Sequence, residues 1–274
     1  MKKLLTLLLF TASCLFSKEH KHELSICCIF QNDWRYLPEW IAFHKKQGVE
    51  HFYLYENLNG YPSESCLTPY IDDGIVTLVN WPYSYETQEQ WNTIQCESYM
   101  HCVRNYGFQS KWMAFLDTDE FLFCPNFENL RHFLKRNKEY KAINARWIMY
   151  GTSNLIVPYG QNITDYLVYR VRDGHETSNT TKPIVQTRYI KHIVNPHYVV
   201  LVTGETKECP LNELRINHYW SRDIDFFYNV KLPRREKWYH DRQLQIDMEK
   251  EYNEVYDPIL SNSRSADATK RNSI

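Results

Sequence analysis

From Leu24 onward the chain alternates short apolar runs with longer stretches of helical periodicity. Leu24 to Phe30 is an apolar run of the kind that forms a strand buried on both faces. A helix follows, with Pro38 in its first turn and its end before Gly48, and it places Leu37, Trp40, Ile41 and His44 on one face. His51 to Tyr55 and Gly74 to Asn80 read as further strands, and Glu86 to Tyr106 as a long helix. Trp112 to Leu116 predicts a strand, Phe127 to Arg136 a helix, and Lys141 to Trp147 another strand. Strand and helix in this alternation predict an α/β fold with an open, mainly parallel sheet flanked by helices. Beyond residue 150 the pattern breaks into shorter strands and loops around Pro158, Pro183 and Pro196. Ser221 is the expected cap of a helix through Lys231, and 242–256 reads as a charged surface helix.

Composition narrows the classes. The chain has 274 residues, 43% apolar and 24% charged, enough for one compact domain with a sizeable core. A net charge of −1 provides no basic excess for nucleic acid. Aromatic residues reach 15%, which suits a large core and also the stacking of sugars or bases. Lys2 and Lys3 precede an apolar run from Leu4 to Phe16, shorter than the ~20 residues that span a bilayer. Residues 1–18 therefore read as an export signal leading to a periplasmic, secreted or lumenal destination. The alternative is an uncleaved anchor at residues 4–16, the one expected route to membrane association. The domain is expected over 19–260 and a disordered polar tail over 261–274. Without Cys14 seven cysteines remain and no C-x-x-C pair occurs, so neither a closed disulfide framework nor a zinc knuckle follows.

Asp117-Thr-Asp119-Glu120 is the sharpest chemical signal. A D-x-D match alone carries little weight, and a second lies at Asp223 and Asp225, within the first turn of a predicted helix. The first follows a predicted strand, where residues two apart on an extended segment point the same way. Ligands of open α/β sheets bind at the carboxyl ends of the strands. Two carboxylates meeting there repel by about 4 kcal/mol at ~4 Å and an effective dielectric near 20, which a divalent cation would relieve while clamping a phosphate-bearing ligand. The bland alternative is an acidic turn with no ligand.

The segment Lys111-Trp-Met-Ala-Phe-Leu-Asp-Thr-Asp-Glu-Phe-Leu122 resembles the signature of glycosyltransferase family 92. Leu37-Pro-Glu-Trp-Ile-Ala-Phe-His44 and the following Gly48 to Asn57 resemble it too, as do Gln95 and Cys102-Val-Arg104. Lys182-Pro-Ile-Val185, Asn195-Pro-His197 and Asn217-His218-Tyr219 come in the family's order, so the likeness spans roughly 25–235. The resemblance implies a GT-A fold and a metal-dependent transferase. Such an enzyme moves a hexose, galactose in the family's characterised activity, from a UDP-sugar to a glycan or other hydroxyl acceptor, with inversion expected. Non-catalytic carbohydrate binding on the same fold is the alternative, and a nucleotidyl- or phosphotransferase a third.

On that basis Asp119 and His218 are the expected ligands of Mn2+ or Mg2+, with a structural histidine in an aromatic cluster as the alternative for His218. Asp117 is expected at the ribose or a metal-bound water, and Glu120 as an orienting group or a plain salt-bridge partner. Arg35, Glu56 and Asn57 are expected along the nucleoside pocket, Lys182 at the diphosphate and His197 at the sugar. Asp173, Glu176 and Glu205 all qualify as the base, with no choice among them. His44, on an apolar helix face, reads as a satisfied core histidine.

Overall fold

Alternate residues of the first apolar run enter opposite cores. Leu24, Ile26, Cys28 and Phe30 pack on one face of the strand β1 (His22–Phe30), and Cys27 and Ile29 on the other. A computed structural model describes residues 20–57 and 64–261. The expected signal or anchor and nearly all of the expected tail lie outside the described residues.

In chain order come α1 (Leu37–Gln47), β2 (His51–Glu56), α2 (Glu64–Asp72), β3 (Val76–Asn80), α3 (Gln88–Tyr106), β4 (Ser110–Phe115), β5 (Glu120–Phe123), α4 (Leu130–Arg136) and β6 (Ala142–Met149). Then follow α5 (Ile163–Tyr166), β7 (Tyr169–Arg170), β8 (Thr181–Gln186), β9 (Ile190–Asn195), β10 (Tyr198–Leu201), β11 (Thr206–Glu208) and β12 (Arg215–His218). The last described elements are α6 (Ile224–Phe226), α7 (Leu232–Tyr239), α8 (Arg242–Glu251) and β13 (Val255–Tyr256).

The main sheet runs β3-β2-β1-β4-β8-β6-β12-β5, with β11 also paired to β6. β3, β2, β1 and β4 are parallel neighbours, as are β6 and β12; β8 and β5 are antiparallel insertions. The sheet is thus open, mixed and largely parallel, as the alternation predicts. β11 pairs with Ala142–Asn144 and β12 with Arg146–Met149, so two strands share one edge of β6.

Local chemistry sets the helix ends. Gly48 closes α1 at φ +104, where a Cβ would meet the Asn129 side chain at 2.5 Å. Thr87 caps α3 in a reciprocal capping box with Gln90. The α4 helix starts at Leu130, later than expected, because the Asn129 side chain accepts from Arg131 N and Phe127 takes a left-handed φ of 58.

The late helix departs most from expectation. Asp223, not Ser221, is its cap, accepting from Phe226 N at 2.9 Å and from Val157 N at 2.9 Å. The helical run also passes Lys231 and continues to Tyr239 through a π turn at Phe227–Lys231. Pro233 has no N–H to donate back along the helix, and the wider turn before it absorbs that loss. The charged segment after it forms α8 but ends at Glu251, and its Gln245 and Glu249 are buried. Seven cysteines, Cys27 to Cys209, are free among the described residues.

Candidate active site

Adjacent parallel strands β1 and β4 bring the segment after Phe30 beside the segment after Phe115 at their carboxyl edge. The acidic segment is not extended there. Glu120 N bonds to Asp117 O at 3.2 Å, so Thr118 and Asp119 form a turn before the chain reverses into β5. Both aspartates still line one cleft, but each has its own partners.

Asp117 Oδ1 accepts from Gln95 Nε2 at 2.7 Å, and Oδ2 from Lys182 Nζ at 2.8 Å. Lys182 is fully buried and also stands 3.4 Å from Glu120 Oε2. Burial alone would lower the Lys182 pKa, but the neighbouring Asp117 and Glu120 carboxyls raise it above the usual lysine value. Glu120 is pushed well above the carboxylate range, first by burial, with Lys182 holding it back. The firm ion pair is therefore Lys182–Asp117, with Glu120 leaning neutral. Its Oε2 accepts from Asp117 N at 2.9 Å, its backbone oxygen accepts from Trp40 Nε1 at 2.8 Å, and Oε1 has no partner among the described residues.

Asp119 faces the other way. Its Oδ1 lies 3.3 Å from His218 Nε2 and its Oδ2 3.4 Å from Lys231 Nζ. Burial opposes ionisation, yet Lys231 and His218 together hold Asp119 well below the usual carboxylate value. His218 reaches the turn because β12 pairs antiparallel with β5, placing His218 opposite Glu120, and Tyr219 N bonds to Asp119 O at 2.8 Å. Burial lowers the His218 pKa against the pull of Asp119, which favours neutral imidazole. Trp147 packs edge-on against His218 at 4.3 Å and against His197 at 5.0 Å. Lys231 is lowered to about 8 by burial, with Asp119 opposing.

A third buried cation braces the turn. Arg222 pairs with Asp33 at 2.5 Å and donates to Thr118 Oγ1 at 3.0 Å, while Thr118 Oγ1 donates to Asp33 at 2.8 Å. Its guanidinium lies over the rings of Tyr36 at 3.9 Å and Phe226 at 4.5 Å. The cleft's far wall comes from the late helix, through Lys231, Arg234, Arg235 and Trp238. These side chains reach over the site and leave a cavity of about 180 Å³. Ligand sites commonly hold ~300–1,000 Å³.

The other sequence candidates scatter. His197 lines the cleft, donates from Nδ1 to Thr181 O at 2.9 Å, and is lowered to about 4 by burial, with Lys182 adding to the shift. Asn57 is buried behind the lining, where its amide donates to Trp81 O at 2.9 Å and Tyr83 O at 2.8 Å and accepts from Gln31 at 3.2 Å. Lys182 lies beneath Asp117 rather than in the lining. Glu56 ends β2 outside the lining, and Arg35 turns away to Val157 O at 2.5 Å and Asp223 at 3.8 Å. Asp173 is exposed and paired with Arg170 at 2.8 Å, and Glu176 is exposed outside the cleft. Glu205 is exposed just before β11, beside the start of β6, where its backbone oxygen accepts from Lys141 N at 2.8 Å, at the opposite edge of the sheet. His44 is a satisfied core histidine: Nδ1 donates to Trp40 O at 2.9 Å and Nε2 accepts from Leu122 N at 3.1 Å. Burial lowers its pKa to about 3.

Sequence reasoning missed Arg222, Trp147 and the wall of the late helix. Lys231, Arg234, Arg235 and Trp238 follow an i, i+3, i+4, i+7 spacing, a one-face signal that the early helix stop concealed.

The family model of glycosyltransferase family 92 matches residues 20–257. The chain belongs to glycosyltransferase family 92. A family 92 protein of Ricinus communis is 30% identical over 207 residues, covering 73% of this chain and 36% of that protein. Galactan beta-1,4-galactosyltransferase GALS3 of Arabidopsis thaliana is 34% identical over 109 residues, covering 37% of this chain and 21% of that protein. The chain thus spans about a third of the length of the first of these relatives. Among solved structures, S. aureus TarS 1–349 is similar with a TM-score of 0.45 at 8% identity, over 84% of this chain and 70% of that one. HddC from Yersinia pseudotuberculosis is similar with a TM-score of 0.42 at 9% identity, over 75% of this chain and 97% of that one.

Proposed function

We propose that this chain is a metal-dependent glycosyltransferase that moves galactose from a UDP-sugar to a glycan hydroxyl, with inversion. The observation that carries the reading is the convergence of Asp119 and His218, from distant parts of a family 92 chain, at the carboxyl edge of the sheet. The Asp119 oxygen suits Mn2+ or Mg2+, and the neutral imidazole nitrogen favours Mn2+ of the two. His218 Nε2 and Asp119 Oδ1 face each other across 3.3 Å, and the Lys231 ammonium stands beside Asp119 where positive charge is favoured. Among the described residues no third His, Cys, Asp or Glu joins a ligand group, so these two side chains would hold the ion and leave its other positions to donor oxygens and water. When bound, the ion supplies charge stabilisation to a departing diphosphate. Lys231, Arg234 and Arg235 add positive charge on the same side, and Trp91 and Trp238 offer ring faces for a base. Galactose is favoured by the similarity to galactan beta-1,4-galactosyltransferases of Arabidopsis. Export through residues 1–18 belongs to the same proposal.

The test is nucleotide release from a panel of UDP-sugars, with product configuration read by NMR. UDP-galactose should be preferred, chelation should stop release, and Asp119→Asn should abolish it in a folded protein. Release that survives exhaustive chelation removes the metal. Oligosaccharide binding without release from any donor would point to the non-catalytic alternative.

A further inference from the structure

α3 has two working faces. Gln88, Trp91, Asn92 and Gln95 recur at helical spacing along the candidate active-site cleft. Glu89, Thr93, Cys96, Glu97, Met100 and Arg104 form the next stripe, and they line a separate groove of about 760 Å³. Its opposite wall is the β9 edge from His192 to Asn195, and Trp81, Tyr83 and His101 complete the lining. The two spaces adjoin. Asn92 lines both, and the chain passes from Asn195 in the groove through Pro196 to His197 in the cleft.

We infer that this groove is the acceptor subsite and holds a neutral, polyhydroxylated oligosaccharide chain whose growing end enters the cleft beside His197. The inference rests on the glycosyl-transfer reading above. Sugar rings present C–H faces to aromatic side chains and hydroxyls to carboxylates and amides. The groove offers both. Trp81 packs against Tyr83 at 5.0 Å and His101 at 5.1 Å, and His101 is fixed by Tyr55 Oη at 2.8 Å. Tyr83 is half-exposed beside Trp81, so part of its ring is open to a sugar face. Glu89, Glu97, Thr93 and Asn195 supply the hydroxyl partners along its length. Arg104 is balanced by Glu89 and Glu97, so no cationic cluster favours a phosphate or polyanion. The same carboxylates oppose a lipid chain.

The experiment titrates β-1,4-linked galacto-oligosaccharides of increasing length into the full chain by calorimetry, without donor. Longer oligosaccharides should bind more tightly than the disaccharide. Tyr83→Ala and Glu97→Gln should each weaken the longest by ~10-fold, the scale of one aromatic or charged hydrogen-bonding contact. Thr93→Trp, which fills the groove from the exposed face of α3, should abolish the gain with length. Affinity indifferent to length, unchanged in all three variants, or absent from the wild type overturns the acceptor subsite. Nucleotide release by the wild type is measured separately. Its failure with binding intact strikes the transfer reading and leaves the groove standing.

Discussion

Replacing Lys182 by Met tests the electrostatic construction of the site without relying on any ligand. The ammonium lies 2.8 Å from Asp117 Oδ2, an attraction of about 6 kcal/mol at an effective dielectric of ~20. Much of that offsets the cost of burying the charges, and removing one partner of a buried pair costs about 3–5 kcal/mol because the survivor stays behind. The Asp117 side chain is 34% exposed and keeps its bond from Gln95, so the loss belongs at the low end, ~3 kcal/mol. That corresponds to a fall in Tm of roughly 6–12 °C for a chain of this size. The deficit should also depend on pH. Lys182 has a raised pKa, so its own contribution is constant below the unfolded value of ~10.4. Glu120 is raised by burial, and a carboxyl raised in the folded state costs stability as pH climbs from its unfolded value near ~4.3. Without Lys182 only the bond from Asp117 N still holds Glu120 back, so that cost deepens and the variant's deficit is no smaller at pH ~8 than at pH ~5, and larger wherever Glu120 ionises in the wild type. Urea unfolding of both proteins at the two pH values reads it. A deficit below ~1 kcal/mol at the higher pH, or one that shrinks with rising pH, refutes the buried-pair account.

His218→Ala should raise the manganese concentration for half-maximal nucleotide release at least ~10-fold; because the ring is buried against Trp147 the metal-free Tm falls as well, and a lowered Tm with unchanged metal demand makes it a core histidine only. Asp223→Ala removes the acceptor for Phe226 N and for the buried Val157 N, so calorimetric unfolding should show a loss of about 2 kcal/mol or more. Trp40→Phe leaves the Glu120 carbonyl without its donor and should cost about 1–3 kcal/mol in the same assay.

What was legible in the sequence was local. Apolar runs of strand length, Pro38 and Gly48 around α1, and a long helix over Glu86 to Tyr106, observed as Gln88–Tyr106, follow from side-chain periodicity and backbone preference, which neighbouring residues decide. The largely parallel sheet followed from the alternation of those elements, and it placed Asp117 and Asp119 at a strand end. His44 could be read as a core residue for the same reason, since its helix face was apolar.

Partners distant in the chain were decided only by the tertiary structure. Whether Asp117 meets Lys182 or Asp119 meets His218 depends on the register of β8 against β4 and of β12 against β5, and hydrophobic patterning is almost indifferent to which strands become neighbours. Arg222 carries no sequence signal because its worth lies in being buried between Asp33 and two aromatic rings. The late helix shows the limit most clearly. A π turn before Pro233 carried Lys231, Arg234, Arg235 and Trp238 over the cleft, and only the packing of Phe227 and Leu232 with Met149, Trp220 and Tyr252 made that segment into the wall of a site. Residue type and spacing determine what an element can present; the long-range pairing energy of the folded chain determines what it faces.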